Sequence, residues 1–325
     1  MANALTLPTA AAATKLRLRA SASMAATTTT VAPAIIIGGG RVGRALQSMG
    51  TGRDVLVGRG ERLPLDFQGP IFVCTRNDDL DAVLQSTPQS RWNGMPISQF
   101  DLGFLVSVCL DMLSAWIGVV LKTLPPGTYF AVSKLGEPPT DGKTDTNPEG
   151  LTAAFGKWAS AVASRLSSGG LSCKVLEKEP FKKQMLEKLI WISAFMLVGA
   201  RHPGASVGTV EKDHRDDFDA TILLTDITPK EQVTSLIAEL ASAAAAEYEI
   251  VFDDAMDERL CAYSRAVAHF PTAVKEASQF SQNVINALFK WRNGWFYSLT
   301  EKALAEGKSD PCPLHTAWLK ELKIV

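Results

Sequence analysis

With 325 residues, 46% apolar and 21% charged, the chain is long enough for two domains with real cores and has the balance of an ordinary globular protein. Its 33 Lys and Arg against 34 Asp and Glu leave a formal net charge of −1, so electrostatics offers no reason to propose nucleic acid or an anionic membrane as partner. The 5 cysteines are odd in number, far apart and without a Cys-x-x-Cys pair; with 4 scattered histidines they predict reduced thiols and no metal site.

Residues 1–33 are rich in Ala, Thr and Ser, carry Lys15, Arg17 and Arg19, and contain no acid; the first acidic residue of the chain is Asp54. That composition is the signature of an organelle transit peptide, and the Thr27 to Thr30 run leans toward a plastid. The mature chain is expected to begin between Ser21 and Ala34 and to reside in the chloroplast stroma. A disordered tail with no address function is the alternative.

The apolar run Ala34 to Ile37 leads directly into Gly38-Gly39-Gly40-Arg41-Val42-Gly43 and a helix-compatible stretch to Met49. Strand, Gly-x-Gly-x-x-Gly and helix in that order form the dinucleotide-binding fingerprint. Gly38 permits the tight turn, Gly40 lets the backbone approach a pyrophosphate, and Gly43 lets the helix sit close on the strand. The phosphates then meet the free N–H groups at the helix start, here Arg41, Val42 and Gly43. A plain glycine-rich turn is the alternative.

The second strand, Asp54 to Val57, ends in Gly58-Arg59-Gly60-Glu61-Arg62. An NAD-preferring site places Asp or Glu there for the ribose 2′-hydroxyl. A guanidinium at this edge, with Arg41 in the glycine loop, favours a 2′-phosphate and therefore NADP(H). Arg59 and Arg62 as ordinary solvated charges are the alternative.

Strand and helix then alternate: Gly69 to Thr75 reads as a strand, Asp78 to Leu84 as a helix, and Asp101 to Val108 as the next strand. Leu102 to Leu121 has the length of a membrane span but carries Asp111 near its centre, and a buried strand followed by a core helix is the simpler reading. Tyr129 to Ser133 reads as a strand, Gly136 to Lys143 as a loop, Glu149 to Leu166 as an amphipathic helix and Leu171 to Leu176 as a final strand. From Glu179 onward the pattern is helical, over Phe181 to Gly199, Pro229 to Tyr248, Asp254 to Val267 and Phe289 to Ala305. The expected architecture is an α/β Rossmann domain with a doubly wound parallel sheet (34–178) followed by an all-α helical domain (179–325), with a ligand cleft between them.

Four pieces taken in order give this chain a family likeness. They are the Gly38 to Gly43 fingerprint; Val73-Cys74-Thr75-Arg76; Glu187-Lys188-Leu189-Ile190 opening into an apolar helix that ends near Gly199; and a closing section with Tyr263-Ser264, Glu276, Trp291-Arg292-Asn293-Gly294 and the tail Asp310 to Leu322. The arrangement resembles ketopantoate reductase and, more broadly, dehydrogenases with a 6-phosphogluconate-dehydrogenase-like helical domain; chloroplast-targeted plant proteins of the subfamily look most similar.

The resemblance implies an NADP(H)-dependent reductase of a small 2-oxo acid or related carbonyl. It implies Lys188 as catalytic proton donor, Glu276 as the carboxylate that binds the substrate's hydroxyl side and assists the lysine, Ser264 and Asn293 as substrate contacts, and Arg76 among the cofactor-binding residues. A homodimer through the helical domain is a further implication. Hydride delivery to a ketone builds negative charge on the carbonyl oxygen, and a cationic lysine meets that charge and supplies the proton.

Departures from the family pattern are equally visible. Ile192 stands where the family has an asparagine one turn after the lysine, Met196 a turn further on, and Val106 to Leu110 where it has Asn-Gly. These predict a more apolar substrate pocket and keep open two other readings: a nucleotide-binding sensor or partner-binding protein without catalysis, and a 3-hydroxyacid dehydrogenase. A solvated charge is the structural alternative for Lys188, on the polar edge of an amphipathic helix beside Lys182 and Lys183. Ser264 and Glu276, 12 residues apart, would be ~18 Å apart on an unbroken helix, with Pro271 as a break. Residues 277–288 look inserted and 103–126 look irregular, as in a splice or gene-model variant.

Overall fold

In the computed structural model the first four apolar runs form one parallel sheet: β1 (Ile35–Ile37), β2 (Val55–Val57), β3 (Ile71–Val73) and β4 (Leu105–Ser107), in spatial order β2-β1-β3-β4. The structure describes residues 31–64, 66–75, 83, 85–86, 105–107, 132, 134–156, 158–214, 233–270, 272 and 292–325, all within one compact unit, Val31–Val325. Ile36 pairs in register with Leu56 on one side and Phe72 on the other. Side chains alternate across the sheet. Ile36 and Phe72 pack with Val42 and Leu46 of α1 (Arg41–Ser48) and with Val162 and Leu166 of α2 (Ala159–Ser168), while Ile35, Ile37, Val57, Ile71 and Val73 form the core of the opposite face. Burial on both faces is why these strands read as unbroken apolar runs instead of alternating ones.

A separate pair, β5 (Ala153–Ala154) before α2 and β6 (Lys174–Val175) after it, runs parallel. The helix expected over Glu149 to Leu166 is thus corrected to a turn, a short strand and then α2 from Ala159 to Ser168. Gly156 adopts φ +93°, a left-handed conformation that a helix through this point excludes. Of the strand expected at Tyr129 to Ser133, only Val132 is described, outside any strand. Asp78 to Leu84, Leu102 to Leu121 apart from β4, and residues 277–288 lie almost wholly outside the described residues. Among the described residues no helix is long and apolar enough to cross a membrane.

A 24-residue helix, α3 (Lys178–Arg201), organises the rest. From Leu189 to Gly199 every residue is buried, so this half is apolar all round and not amphipathic; it is surrounded by other elements. Those elements are α4 (Val207–Asp213), α5 (Val233–Tyr248), α6 (Met256–Ala266) and α8 (Pro313–Glu321), with α7 (Asn293–Ala305) on α5 and α8. Ile192 and Met196 are both buried in this core, which accounts for their apolar character by packing.

The helices α4 and α8 fall where no helix was expected. Each carries a recognisable start: the Ser206 hydroxyl accepts from Thr209 N–H (3.1 Å), and Pro313 sits in the first turn of α8. The first turn of α8 is completed from a distance by Glu239 of α5, whose carboxylate accepts from the N–H groups of Leu314 (2.9 Å) and His315 (2.8 Å). Helix α6 ends at Ala266, before Pro271, so no continuous helix carries Ser264 toward position 276.

Candidate active site

The glycine loop has the geometry its sequence predicts. Gly38 adopts φ +103°, and a Cβ there would lie 2.5 Å from the Cys74 carbonyl oxygen of the neighbouring strand end. A Cβ on Gly43 would collide with the Gly38 carbonyl oxygen. At Gly40, by contrast, nothing lies within 4 Å of the Cβ position. Two glycines are needed by the protein's own packing, whereas the third faces open space where a ligand can approach the backbone.

Gly40 is also the N-cap of α1 and has no side chain to cap it, and the first turn carries no acid. Arg41, Val42 and Gly43 therefore begin a helix whose positive end suits an anion. These features fit a dinucleotide's pyrophosphate. At the end of β2, Arg59 is exposed in the turn, and Glu61 folds back so that its carboxylate accepts from Gly58 N–H (2.6 Å). Both charge signs therefore stand at this edge. Arg76 lies outside the described residues, as does Glu276.

The second cluster is built around Lys188. Lys188 and Trp191 are three residues apart on α3 and share a face, while Tyr263 and Ser264 come from α6. The Lys188 ammonium lies 4.4 Å from the centroid of the Trp191 ring and 4.4 Å from that of Tyr263, and donates to the Tyr263 hydroxyl at 3.3 Å. The two rings meet edge to face at 4.8 Å. The side chain keeps some exposed surface, but its charged end is enclosed by these groups.

Burial, and secondarily the Arg292 guanidinium, push the lysine down from its ordinary 10.5 to about 7. Burial also pushes the Tyr263 phenol well above its ordinary range, so it stays protonated. A lysine that titrates near neutrality is suited to give or take a proton at physiological pH. The reading of Lys188 as a solvated charge is therefore corrected: its solvation is what the fold removes.

Ser264 is fully buried and already engaged, accepting from Trp191 Nε1 (2.7 Å) and donating to the Leu260 carbonyl (3.0 Å). Asn293 opens α7, with its side-chain oxygen 3.0 Å from His315 Nε2; burial holds that imidazole down at about 4 and hence neutral. Lys188 and Ser264 thus share one cluster through Trp191 and Tyr263, with Arg292 acting on it from the residue before Asn293.

Trp191, Tyr263 and Arg292 were not singled out as site residues by sequence reasoning. The spacing of Lys188 and Trp191 was the available signal for one of them. Nor did sequence reasoning find the buried Glu187 beside them, which pairs with Arg259 of α6 (2.8 Å), itself bound to Asp253 (2.7 Å). That pairing joins α3 to α6 one residue before the lysine in the chain.

No protein-family model matches the sequence, and no curated protein matches it. Solved structures do match. D-mandelate dehydrogenase, determined as a ternary structure with NADH and anilino(oxo)acetate, aligns with a TM-score of 0.51 at 14% identity, over 89% of this chain and 99% of its own. A dimeric ketopantoate reductase from Staphylococcus aureus aligns at 0.53 and 12% identity, over 90% and 98% of the two chains. A ketopantoate reductase from Ralstonia eutropha JMP134 aligns at 0.51 and 12%, over 90% and 97%. With the parallel sheet and helical half described above, this chain has a ketopantoate reductase-like fold, a Rossmann domain followed by a helical domain.

Proposed function

We propose that the protein is an NADPH-dependent reductase of a small 2-oxo acid or related carbonyl compound, with Lys188 as the proton donor. The observation that carries this reading is the Lys188 ammonium held against the Trp191 and Tyr263 rings at a position where burial, and secondarily Arg292, bring it down to about 7. A nicotinamide, when bound, supplies the hydride. The loop Gly38 to Gly43 holds the pyrophosphate on its open backbone, and Arg59 pairs with the 2′-phosphate. Lys188 meets the negative charge that develops on the substrate oxygen and protonates it, with Glu276 as the assisting carboxylate. Residues 34–178 form the nucleotide-binding domain in this reading, and 179–325 the helical domain, which also supplies a homodimer contact. The 1–33 leader directs the protein to the plastid stroma; intact leader on protein isolated from plastids would count against that part.

The test is loss of NADPH absorbance by the purified full chain against a panel of 2-oxo and 3-oxo acids. Turnover on a 2-oxo acid supports the proposal, and turnover confined to 3-oxo acids replaces it with a 3-hydroxyacid dehydrogenase. A nucleotide-binding protein without turnover is favoured by one observation: the single hydrogen the Ser264 hydroxyl can donate is already given to the Leu260 carbonyl inside the protein. Tight NADPH binding by calorimetry with no oxidation of any panel member would select that reading.

A further inference from the structure

The two rings that enclose Lys188 and the serine bonded to one of them form a connected unit. Trp191 is locked by its N–H bond to Ser264, Ser264 is locked by its own bond to the Leu260 carbonyl one turn earlier in α6, and Tyr263 stands edge to face against Trp191. The lysine also donates to the Tyr263 hydroxyl, on the second of these rings. We infer that Trp191, Tyr263 and Ser264 are positioning residues: a clamp that holds the Lys188 ammonium against two ring faces and sets the pH at which it gives up its proton. This deepens the proposed reductase reading and rests on it only for the destination of that proton.

The physical case is one of opposed effects. Enclosure strips water from the ammonium and favours the neutral amine, and Arg292 pushes the same way. The two ring faces and the phenol oxygen favour the charged form, because a cation is attracted to a ring face and donates a charge-assisted hydrogen bond. Among the described residues, Tyr263 from α6 and Arg292 from the start of α7 are titratable and charged groups seen to act on Lys188. A phenol is also both acceptor and donor. It accepts from the ammonium; once Lys188 has passed its proton to a substrate alkoxide, the same hydroxyl turns its own hydrogen toward the neutral nitrogen. Tyr263 itself neither gains nor loses a proton. Ser264 then acts through Trp191: its alanine variant would leave a buried indole N–H without its acceptor and release the ring.

The clamp is tested without substrate or cofactor, by following the ε-carbon NMR signal of 13C-labelled lysine in the full chain across pH, with the Lys188 signal assigned by its absence in Lys188→Arg. The wild type should titrate near 7. Tyr263→Phe keeps the ring and loses the hydroxyl, and Trp191→Phe weakens the ring face and loses the bond to Ser264. Each should lower the midpoint by about half a unit to one unit, a threefold to tenfold loss of proton affinity. Ser264→Ala should shift it the same way by less. Tyr248→Phe, whose ring packs on Trp295 and not on Lys188, should leave it unchanged. A wild-type midpoint near 10, or midpoints in Tyr263→Phe and Trp191→Phe equal to the wild type, would overturn the clamp. Because no turnover is needed, an inactive chain can still show it and an active chain can still lack it.

Discussion

Two buried cations show how this chain uses the same element of chemistry in opposite ways. Arg165 of α2 is completely buried and donates to both Asp54 oxygens (2.7 Å each), to the Leu46 carbonyl (2.8 Å) and to the Ala32 carbonyl (2.7 Å). Asp54 in turn accepts from Ala34 N–H (2.7 Å). One guanidinium fork thereby ties α2 to the start of β2, the end of α1 and the chain entering β1. Lys188 instead meets two ring faces and a phenol, with Arg292 acting against its charge. A buried cation matched to a carboxylate is a fastener. One held among aromatic groups and opposed by a second cation keeps a labile proton, and a labile proton is what catalysis uses.

The sharpest test of that contrast removes each cation in turn. Lys188→Ala should lower kcat by about 10²–10⁴ on the best substrate found, with NADPH affinity nearly unchanged, because general acid catalysis contributes that much and the lysine sits against Trp191 and Tyr263 of the helical half. Full activity in that variant would sink the proton-donor assignment. Arg165→Leu should instead cost about 3–5 kcal/mol of folding stability, since it leaves Asp54 buried and uncompensated. Denaturant unfolding of the two variants would separate them, and a mild effect of Arg165→Leu would show that water reaches Asp54.

Smaller effects sharpen the picture further. Arg59→Ala should reduce the preference for NADPH over NADH by roughly ten- to a hundredfold, about 1.5–3 kcal/mol, the size of a charge-assisted contact to one phosphate. Equal affinities in the wild type would point to Glu61 as the residue that reads the ribose. Carbonyl reduction should fall as pH rises through about 7, because the ammonium is the donor. A flat profile from pH 6 to 8 would be inconsistent with Lys188 acting at its lowered value.

A further effect is on stability and changes with pH. The unfolded chain binds the Lys188 proton more tightly than the folded one, near 10.5 against about 7, so the cost of burying the ammonium is fully present below 7 and fades as pH rises toward 10.5. Lys188→Met should therefore gain stability over the wild type most at pH 6 and least at pH 10, as a residue retained for function at the expense of folding would. A gain independent of pH would mean that packing, not charge, causes it.

Legibility was highest where function and local backbone coincide. The fingerprint from Gly38 to Gly43 and the first four strands follow from short-range rules, and each strand lies within the run its apolar residues marked. The stretch from Glu149 to Leu166 failed because the Ala-rich composition favours helix, while Gly156 and the pairing of β5 with β6, set by partners 21 residues away, impose another conformation. For α8 the helix start was readable from Pro313, but its tether, Glu239, lies in another helix.

At the site itself, the sequence by itself determined which residue types were present and how they were spaced: a lysine three residues before a tryptophan, a tyrosine beside a serine, and a glycine loop opening a helix. Those are properties of the backbone within one or two turns, and they carry to the folded state unchanged. Only the tertiary structure decided what Lys188 is. The same side chain is a solvated charge on a free helix and a near-neutral amine here, because α6 brings Tyr263 and Ser264, and the start of α7 brings Arg292, to the face of α3 where water would otherwise stand. Proton affinity depends on the environment that distant segments build, and no local pattern encodes that environment.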